Sequence, residues 1–271
     1  MGYFSTDDDN FLKIPRITYY YEEKIPSQTD EVTPKVIEIF HTSCQNYGTR
    51  KIKVELQKCG YQISRRRIGR VMKEEGLVST YTIAQFKPHG STCNESKKKN
   101  ELNREFRQEE AYSVVVSDLT YVRGENKWHD ICVLVDLYNL EIIGYGTGAR
   151  KDAQLVYQGI SSIKVELNKI MLFHTDRGSE FKNKWIDEAL ETFEIKRSLS
   201  MKGCPYDNAC IESFNALLKK EEVNHVQYLD YQTAKLAMFQ FIEGWYNRKR
   251  IHSSLGYQIP QAIEDLIRNT A

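Results

Sequence analysis

The chain reads as an α/β protein with a mixed sheet, preceded by a compact all-helical unit. Three observations carry that reading. Between Pro34 and Gly76, apolar residues recur every three or four positions and stop at glycines. Between Tyr112 and Thr147, three β-branched runs are separated by short turns. From Asp152 onward, helix-like and strand-like patterns alternate.

Residues 1–33 mix charge, Pro15, Pro26 and a Tyr19-Tyr20-Tyr21 cluster without a clear period, and are expected to form an extended or partly helical arm. The unit at 34–80 is expected to hold three helices. Val36, Ile39 and Phe40 line the first; Ile52, Leu56 and Cys59 line the second, which stops at Gly60. Ser64 can cap the third, with Ile68, Val71 and Met72 inward and Gly76 ending it. Its outer face collects Arg65, Arg66, Arg67, Arg70 and Lys73, with no acid among them. Helix-turn-helix modules set their last helix in the major groove, so these five cations are candidate DNA contacts. Segment 81–110, with Pro88, Gly90, Ser91, Asn94 and Lys97-Lys98-Lys99, reads as a flexible basic linker. Its end, NELNREF, is a candidate docking segment for the next domain.

The core is expected over 111–271. Strands are expected at 112–122, 128–136 and 141–147, the last two joined as a hairpin by the tight turn containing Asn139. Asp152 can cap a helix running to about residue 164. Beyond it, a strand is expected at 170–173, a helix at 182–193 and a strand at 195–198. Ala209, Ile211, Phe214, Leu217 and Leu218 then stripe another helix, with Asp207 or Asn208 as its cap. A last long helix is expected at 228–246, with Leu236, Phe239, Ile242 and Trp245 inward.

Composition narrows the function class. With 41% hydrophobic and 11% aromatic residues over 271 positions, the chain can bury a real core, which excludes global disorder. No apolar run approaches the roughly 20 residues needed to span a bilayer. The acidic start, MGYFSTDDDNFLK, lacks a signal-peptide layout, argues against myristoylation at Gly2 and suits a cytoplasmic protein. The net charge of +1 conceals a basic block: residues 50–99 hold thirteen Lys or Arg against four Glu, which points to a polyanion. The six cysteines contain no C-x-x-C pair and read as scattered buried thiols of a reducing compartment; Cys204 and Cys210 lack the second ligand pair a zinc site needs.

Three acids carry the chemistry. The apolar strand at 170–173 runs into a polar turn holding Asp176, and strand ends are where α/β sheets present ligands. Glu212 lies in the first turns of the helix that begins near Asn208, and 35 residues separate it from Asp176. One helix, one strand and a loop fit in that interval and can return Glu212 to the same sheet edge. Carboxylates gathered in this way repel, and a divalent cation is the usual reason to tolerate it. A third acid is then expected on a neighbouring strand, and Asp118 in VVVSDLTYV meets that description. Asp136, ending the second strand, is a rival ligand; Asp130 alternates with apolar neighbours and should face out. His174 is either a packed strand-end histidine or an outer contact to the site. Lys219, seven residues after Glu212 on one helical face, can hold a DNA phosphate, whereas Lys220 should face solvent. Asn208 can position DNA besides capping. Arg177 and Lys202 are loop cations that suit either DNA or plain surface. Arg250 and His252 either brace the Glu212 helix or touch DNA.

These residues resemble a known family. Asp118 in SDLTYV, Asp176 in HTDRGSEF and Glu212 in DNACIESFNALLKKE are similar to the Asp–Asp–35–Glu triad of bacterial insertion-sequence transposases. More narrowly, they resemble the second-reading-frame product of the IS-three family, relatives of retroviral integrases. YGTRKIKVELQKCGYQISRRRIGRVMKEEGL is similar to the helix-turn-helix segment preceding that family's core. The family's terminal signature is matched at Tyr246, Asn247, Arg250, His252, Ser254, Leu255, Gly256 and Tyr257. The likeness spans about residues 36–262; Phe181 stands where tyrosine is frequent, and valines precede Asp118 where an aromatic is common.

The resemblance implies a ribonuclease-H-like fold: a mixed five-stranded sheet with flanking helices, preceded by an α-helical helix-turn-helix domain. It implies a DNA transposase that cleaves a strand of its element and transfers the 3′ end. Two Mg²⁺ ions, for which Mn²⁺ should substitute, would be held by Asp118, Asp176 and Glu212, with Asp118 bridging them. The partners implied are double-stranded element ends and target, further copies of the chain as a homodimer or higher oligomer, and a first-frame (orfA) partner or fusion. No leucine-heptad segment precedes Met1, so the expectation is that such a partner completes the active protein. The readings set against this are a non-catalytic DNA-binding regulator of element ends and a simple ribonuclease-H-like nuclease.

Overall fold

The computed structural model describes residues 31–82, 99–124, 127–202 and 204–270. The expected arm up to residue 30 and the linker residues 83–98 lie outside them.

Three helices open the described chain: α1 (Val32–Thr42), α2 (Thr49–Lys58) and α3 (Arg65–Glu74). They form where the apolar spacing predicts, and Val36, Ile52, Leu56 and Ile68 bury completely between them. Ser64 caps α3 by accepting the Arg67 N–H at 3.3 Å. Gly60 (φ +88°) and Gly76 (φ +65°) end α2 and α3 in the left-handed region, where glycine alone carries no Cβ penalty. This unit does not stand apart. The Tyr47 hydroxyl accepts the Ile251 N–H at 2.9 Å, and its ring lies 5.7 Å from that of Trp245, joining the helices to the C-terminal segment.

The sheet has five strands: β1 (Val114–Gly124), β2 (Lys127–Asp136), β3 (Ile142–Gly148), β4 (Leu172–Thr175) and β5 (Lys196–Leu199), ordered β3-β2-β1-β4-β5. The first three are antiparallel; β4 and β5 run parallel to β1. This is the mixed five-stranded layout of ribonuclease-H-like folds. Asn139 makes the β2–β3 turn by accepting the Glu141 N–H at 2.9 Å, and Asp152 caps α4 (Ala153–Ser161) by accepting the Leu155 N–H at 3.0 Å.

Both faces of the sheet are covered, which is why its central strands are almost continuously apolar. On one face Val115, Cys132, Leu134 and Phe173 pack against α4 and α5 (Lys184–Thr192). Gly146 permits the close approach of α4: a Cβ there would lie 2.8 Å from the Leu155 carbonyl oxygen and 3.0 Å from the Gly159 nitrogen. On the other face Val116, Ile131 and Val133 meet α6 (Ala209–Glu221) and α7 (Tyr231–Phe239). The docking expected of NELNREF occurs. Ser198 Oγ accepts the Glu101 and Leu102 N–H groups, and Arg104 Nε donates to Asp207 at 2.6 Å.

Three expectations need correction. The helix expected at 228–246 is not uniform: α7 passes at Gln240–Tyr246 into a π-helical segment, in which Asn247 N–H reaches the Ile242 carbonyl at 3.0 Å. The wider turn resets the inward face. Ala234, Met238, Phe241, Ile242 and Trp245 face in, whereas Leu236 and Phe239 are exposed. A further helix, α8 (Pro260–Thr270), closes the described chain. Among the described cysteines only Cys132 is buried; Cys44 and Cys59 are exposed, and Cys204 and Cys210 are half-buried.

Candidate catalytic site

Asp118 and Asp176 are brought together by strand register. Ser117 of β1 pairs with Thr175 of β4 in the parallel ladder, so the next residue along β1 and the residue leaving β4 are neighbours. Asp118 Oδ1 accepts its neighbour Leu119 N–H at 2.8 Å, and Oδ2 accepts Asn215 Nδ2 at 2.8 Å from α6. Asp176 Oδ1 accepts the Gly178 N–H at 2.8 Å, which fixes the turn after β4. Glu212 stands in the first turn of α6, exposed, three residues before Asn215. The 35-residue interval is spent on α5, β5 and a 3₁₀ turn, Pro205–Asn208, that lead back to this edge.

The three charges act on one another. Burial and then Asp176 push Asp118 up to about 7. Glu212 is raised by burial and by Asp176, and Asp176 by burial and by Glu180. As they stand, no three His, Cys, Asp or Glu side chains among the described residues close on one point. The donor set consists of carboxylate oxygens only, which suits a hard divalent cation. Protonation or such a cation offsets the burial and the like-charge repulsion that raise them.

Sequence reasoning missed three residues beside the triad. Asn215 holds Asp118; its only sequence signal is that it shares a helical face with Glu212. Lys151, just before the α4 cap, pairs at 2.9 Å with Glu180 and places positive charge near Asp176 and Asp118. Glu180 is 5% exposed, and a Cβ on Gly178 would collide with its carboxylate, so the turn after Asp176 is built around it. Nothing local marks Lys151 or Glu180, because their partners come from other elements. Asp130, expected to face out, is half-buried and feels both Lys151 and Glu180.

Arg65, Arg66, Arg67, Arg70 and Lys73 are all exposed on the outer face of α3, opposite Ile68, Val71 and Met72. Lys219 is half-buried, its ammonium 4.0 Å from the centre of the Tyr121 ring on the strand that carries Asp118. Lys220, expected in solvent, instead donates to the Tyr81 carbonyl at 3.2 Å.

The remaining candidates are corrected by burial. Asn208 is 3% exposed, and neither amide atom has a partner among the described residues, so it neither caps α6 nor stands open to DNA. The 3₁₀ turn leading into α6 takes up the position a cap would need. Asp207 does not cap either; it accepts the Met201 N–H and Arg104. Arg250 and His252 are each 6% exposed, which removes them from DNA contact and leaves the bracing role. Arg250 Nε and Nη2 reach Glu221 at 3.0 and 2.9 Å, at the far end of the helix carrying Glu212. Burial, Arg250 and Lys51 push the His252 imidazole down to about 3, so it is neutral. His174 is fully buried, bonded through Nδ1 to Ser198 Oγ at 2.8 Å and pushed down to about 4 by burial; the packed reading holds. Asp136 pairs with Val115, three steps along β2 from the partner of Asp118, and its charge couples with Glu264 instead, so it is no ligand of this site.

Family models and known relatives match most of this chain. Family models described as "Integrase core domain" match residues 108–205 and 193–260, and one described as "HTH-like domain" matches residues 27–82. The "Insertion element IS600 uncharacterized 31 kDa protein" of Shigella sonnei is 31% identical over 93% of this chain and 95% of its own length. The "Transposase for insertion sequence element IS904" of Lactococcus lactis is 28% identical over 86% of this chain and 93% of its own. The HTLV-2 integrase catalytic core domain, solved in complex with magnesium, is 16% identical with a TM-score of 0.44, covering 58% of this chain and 99% of that one. No helix among the described residues is long and apolar enough to cross a membrane. The chain belongs to the IS3 (IS-three) family of insertion-sequence transposases, DNA-acting polynucleotidyl transferases with an integrase-like core.

Proposed function

We propose that Asp118, Asp176 and Glu212 are the catalytic and metal-holding residues, acting in strand cleavage and 3′-end transfer of an insertion sequence. The observation that supports this best is the β1–β4 register, which makes Asp118 and Asp176 neighbours within electrostatic reach of Glu212. Asp118, Asp176 and Glu212 would hold two Mg²⁺ ions, with Mn²⁺ as a substitute, and such ions would supply activation of the attacking oxygen and charge neutralisation at the leaving one. The chain's own residues hold the geometry. Asn215 orients Asp118, Gly178 N–H orients Asp176, and the Arg250–Glu221 pair anchors the helix that presents Glu212. Lys151 keeps Asp118 and Asp176 from rising further.

In this reading residues 1–33 are an arm, 34–80 the DNA-binding helix-turn-helix domain, 81–110 the linker and 111–271 the catalytic core. Arg65, Arg66, Arg67, Arg70 and Lys73 meet duplex element ends, and Lys219 meets a phosphate beside the site. The working form is a homodimer or larger, with a first-frame partner, acting on DNA in the bacterial nucleoid. Joining of labelled element ends by the purified chain with Mg²⁺ tests the assignment. Asp118→Asn, Asp176→Asn and Glu212→Gln should each abolish joining while duplex binding stays within a few fold. Joining retained in any of the three refutes the triad; binding without metal-dependent joining in the wild type favours the regulator reading.

A further inference from the structure

A cleft of 1050 Å³ lies between the helical unit, the segment around residue 107 and one flank of α6. Arg50, Lys51 and Arg107 line it, with Arg250 at its edge committed to Glu221, and no Asp or Glu lines it among the described residues. Burial and Arg250 push Lys51 down to about 8, which marks the cleft as short of negative charge.

The start of α2, with Arg50 and Lys51 in its first turn, borders the cleft. Gly48 occupies the cap position with no side chain to accept, and the first turn contains no acid. Its N–H groups and the helix dipole therefore favour an anion. Asn46, 3% exposed, lines the same cleft. Its Oδ1 accepts from Thr80 Oγ1 at 2.7 Å, which leaves Nδ2 as a donor, and Nδ2 has no partner among the described residues. The same cleft is lined by Tyr81, Phe106 and Tyr138, aromatic rings on which bases can stack whatever their sequence.

The cleft and the acids share one helix. Cys210, Ser213 and Leu217 of α6 face the cleft, while Glu212 and Asn215 lie on its other flank. A helix is roughly 10–12 Å across with its side chains, about three base-pair rises of a duplex. DNA engaged at the acids can therefore cross the exposed edge of α6 and enter the cleft.

We infer that the cleft binds a short unpaired stretch of the DNA being processed, with a backbone phosphate at the start of α2 and bases against Tyr81, Phe106 and Tyr138. The occupant rests on the function proposed above; a site of this size takes a few nucleotides and not a duplex.

The full chain titrated against a labelled short oligothymidylate, by fluorescence anisotropy across a salt series, tests this. R50A combined with R107A, both surface positions, should weaken single-strand binding at least tenfold and reduce the salt slope by about 1.4. F106A should abolish the quenching of a 2-aminopurine-labelled strand, whereas R66A should weaken duplex binding and leave single-strand binding unchanged. D118N should bind single strands like the wild type and fail to join; if it joins, the triad fails while the cleft stands. Unchanged single-strand affinity in R50A/R107A, with a normal melting curve, overturns the inference. So does complete displacement of the strand by millimolar inorganic phosphate with F106A still quenching, which would make the cleft a phosphate site alone.

Discussion

Arg250 offers the sharpest test of how the site is held. Its guanidinium forks onto Glu221, whose side chain is 0% exposed against 7% for Arg250 itself. The Trp245 indole N–H and the Tyr81 hydroxyl also donate to Glu221, at 3.0 and 2.5 Å. Arg250→Ala would leave a carboxylate sealed in the interior with two neutral donors and no counter-charge. Removing one partner of a buried pair costs about 3–5 kcal/mol, mostly through the stranded charge. For a chain of this size that is roughly 10 °C in melting temperature. Thermal unfolding followed by circular dichroism measures it. Because the cost belongs to the stranded ion and not to the pair, Arg250→Leu with Glu221→Leu should recover most of the loss. Duplex DNA affinity of the folded single variant, measured below its transition, should stay within a few fold. An Arg250→Ala protein that melts like the wild type but binds DNA tenfold more weakly would refute the bracing role and restore Arg250 as a DNA contact.

Other substitutions probe the metal site, the sheet packing and the acid limb. Asn215→Ala frees Asp118 Oδ2 and should lower joining about 10–100-fold while raising the Mg²⁺ concentration required, as loss of a ligand-orienting partner does; unchanged metal dependence would rule out that role. Gly146→Ala drives a methyl into the backbone of α4 and should destabilise by about 1–3 kcal/mol in urea unfolding, whereas an unchanged midpoint would mean that α4 can move away freely. His252 is pushed down from 6.5 to about 3, so between those values the unfolded chain binds a proton that the native chain does not. Its contribution to stability is therefore constant above about pH 6.5 and falls as pH drops toward 3, by roughly 1.4 kcal/mol per unit. His252→Gln should lose that slope; an unaltered acid limb would show that the imidazole protonates without cost.

Local features were legible in the chain itself. Ser64 and Asp152 cap their helices because capping is decided within three residues, and the glycines ending α2 and α3 act through their own backbone. The alternation of apolar runs set out the five strands, and motif spacing singled out Asp118, Asp176 and Glu212. What escaped was decided between elements. Asn215 finds Asp118 across 97 positions, Glu221 finds Arg250 across 29, and Lys151 finds Glu180 on a separate turn. Arg250 and His252 look like surface cations by residue type and lie inside only because the C-terminal segment folds back over α6. Asn208 has the composition of a cap but not its backbone. Leu236 and Phe239 keep helical spacing yet point outward, since a π turn downstream resets the face. Sequence thus laid out most of the elements through periodicity and local hydrogen bonding, and singled out the acids by motif spacing. Burial, pairing and the shared cleft were decided by tertiary contact, because desolvation depends on which distant segment comes to cover a side chain.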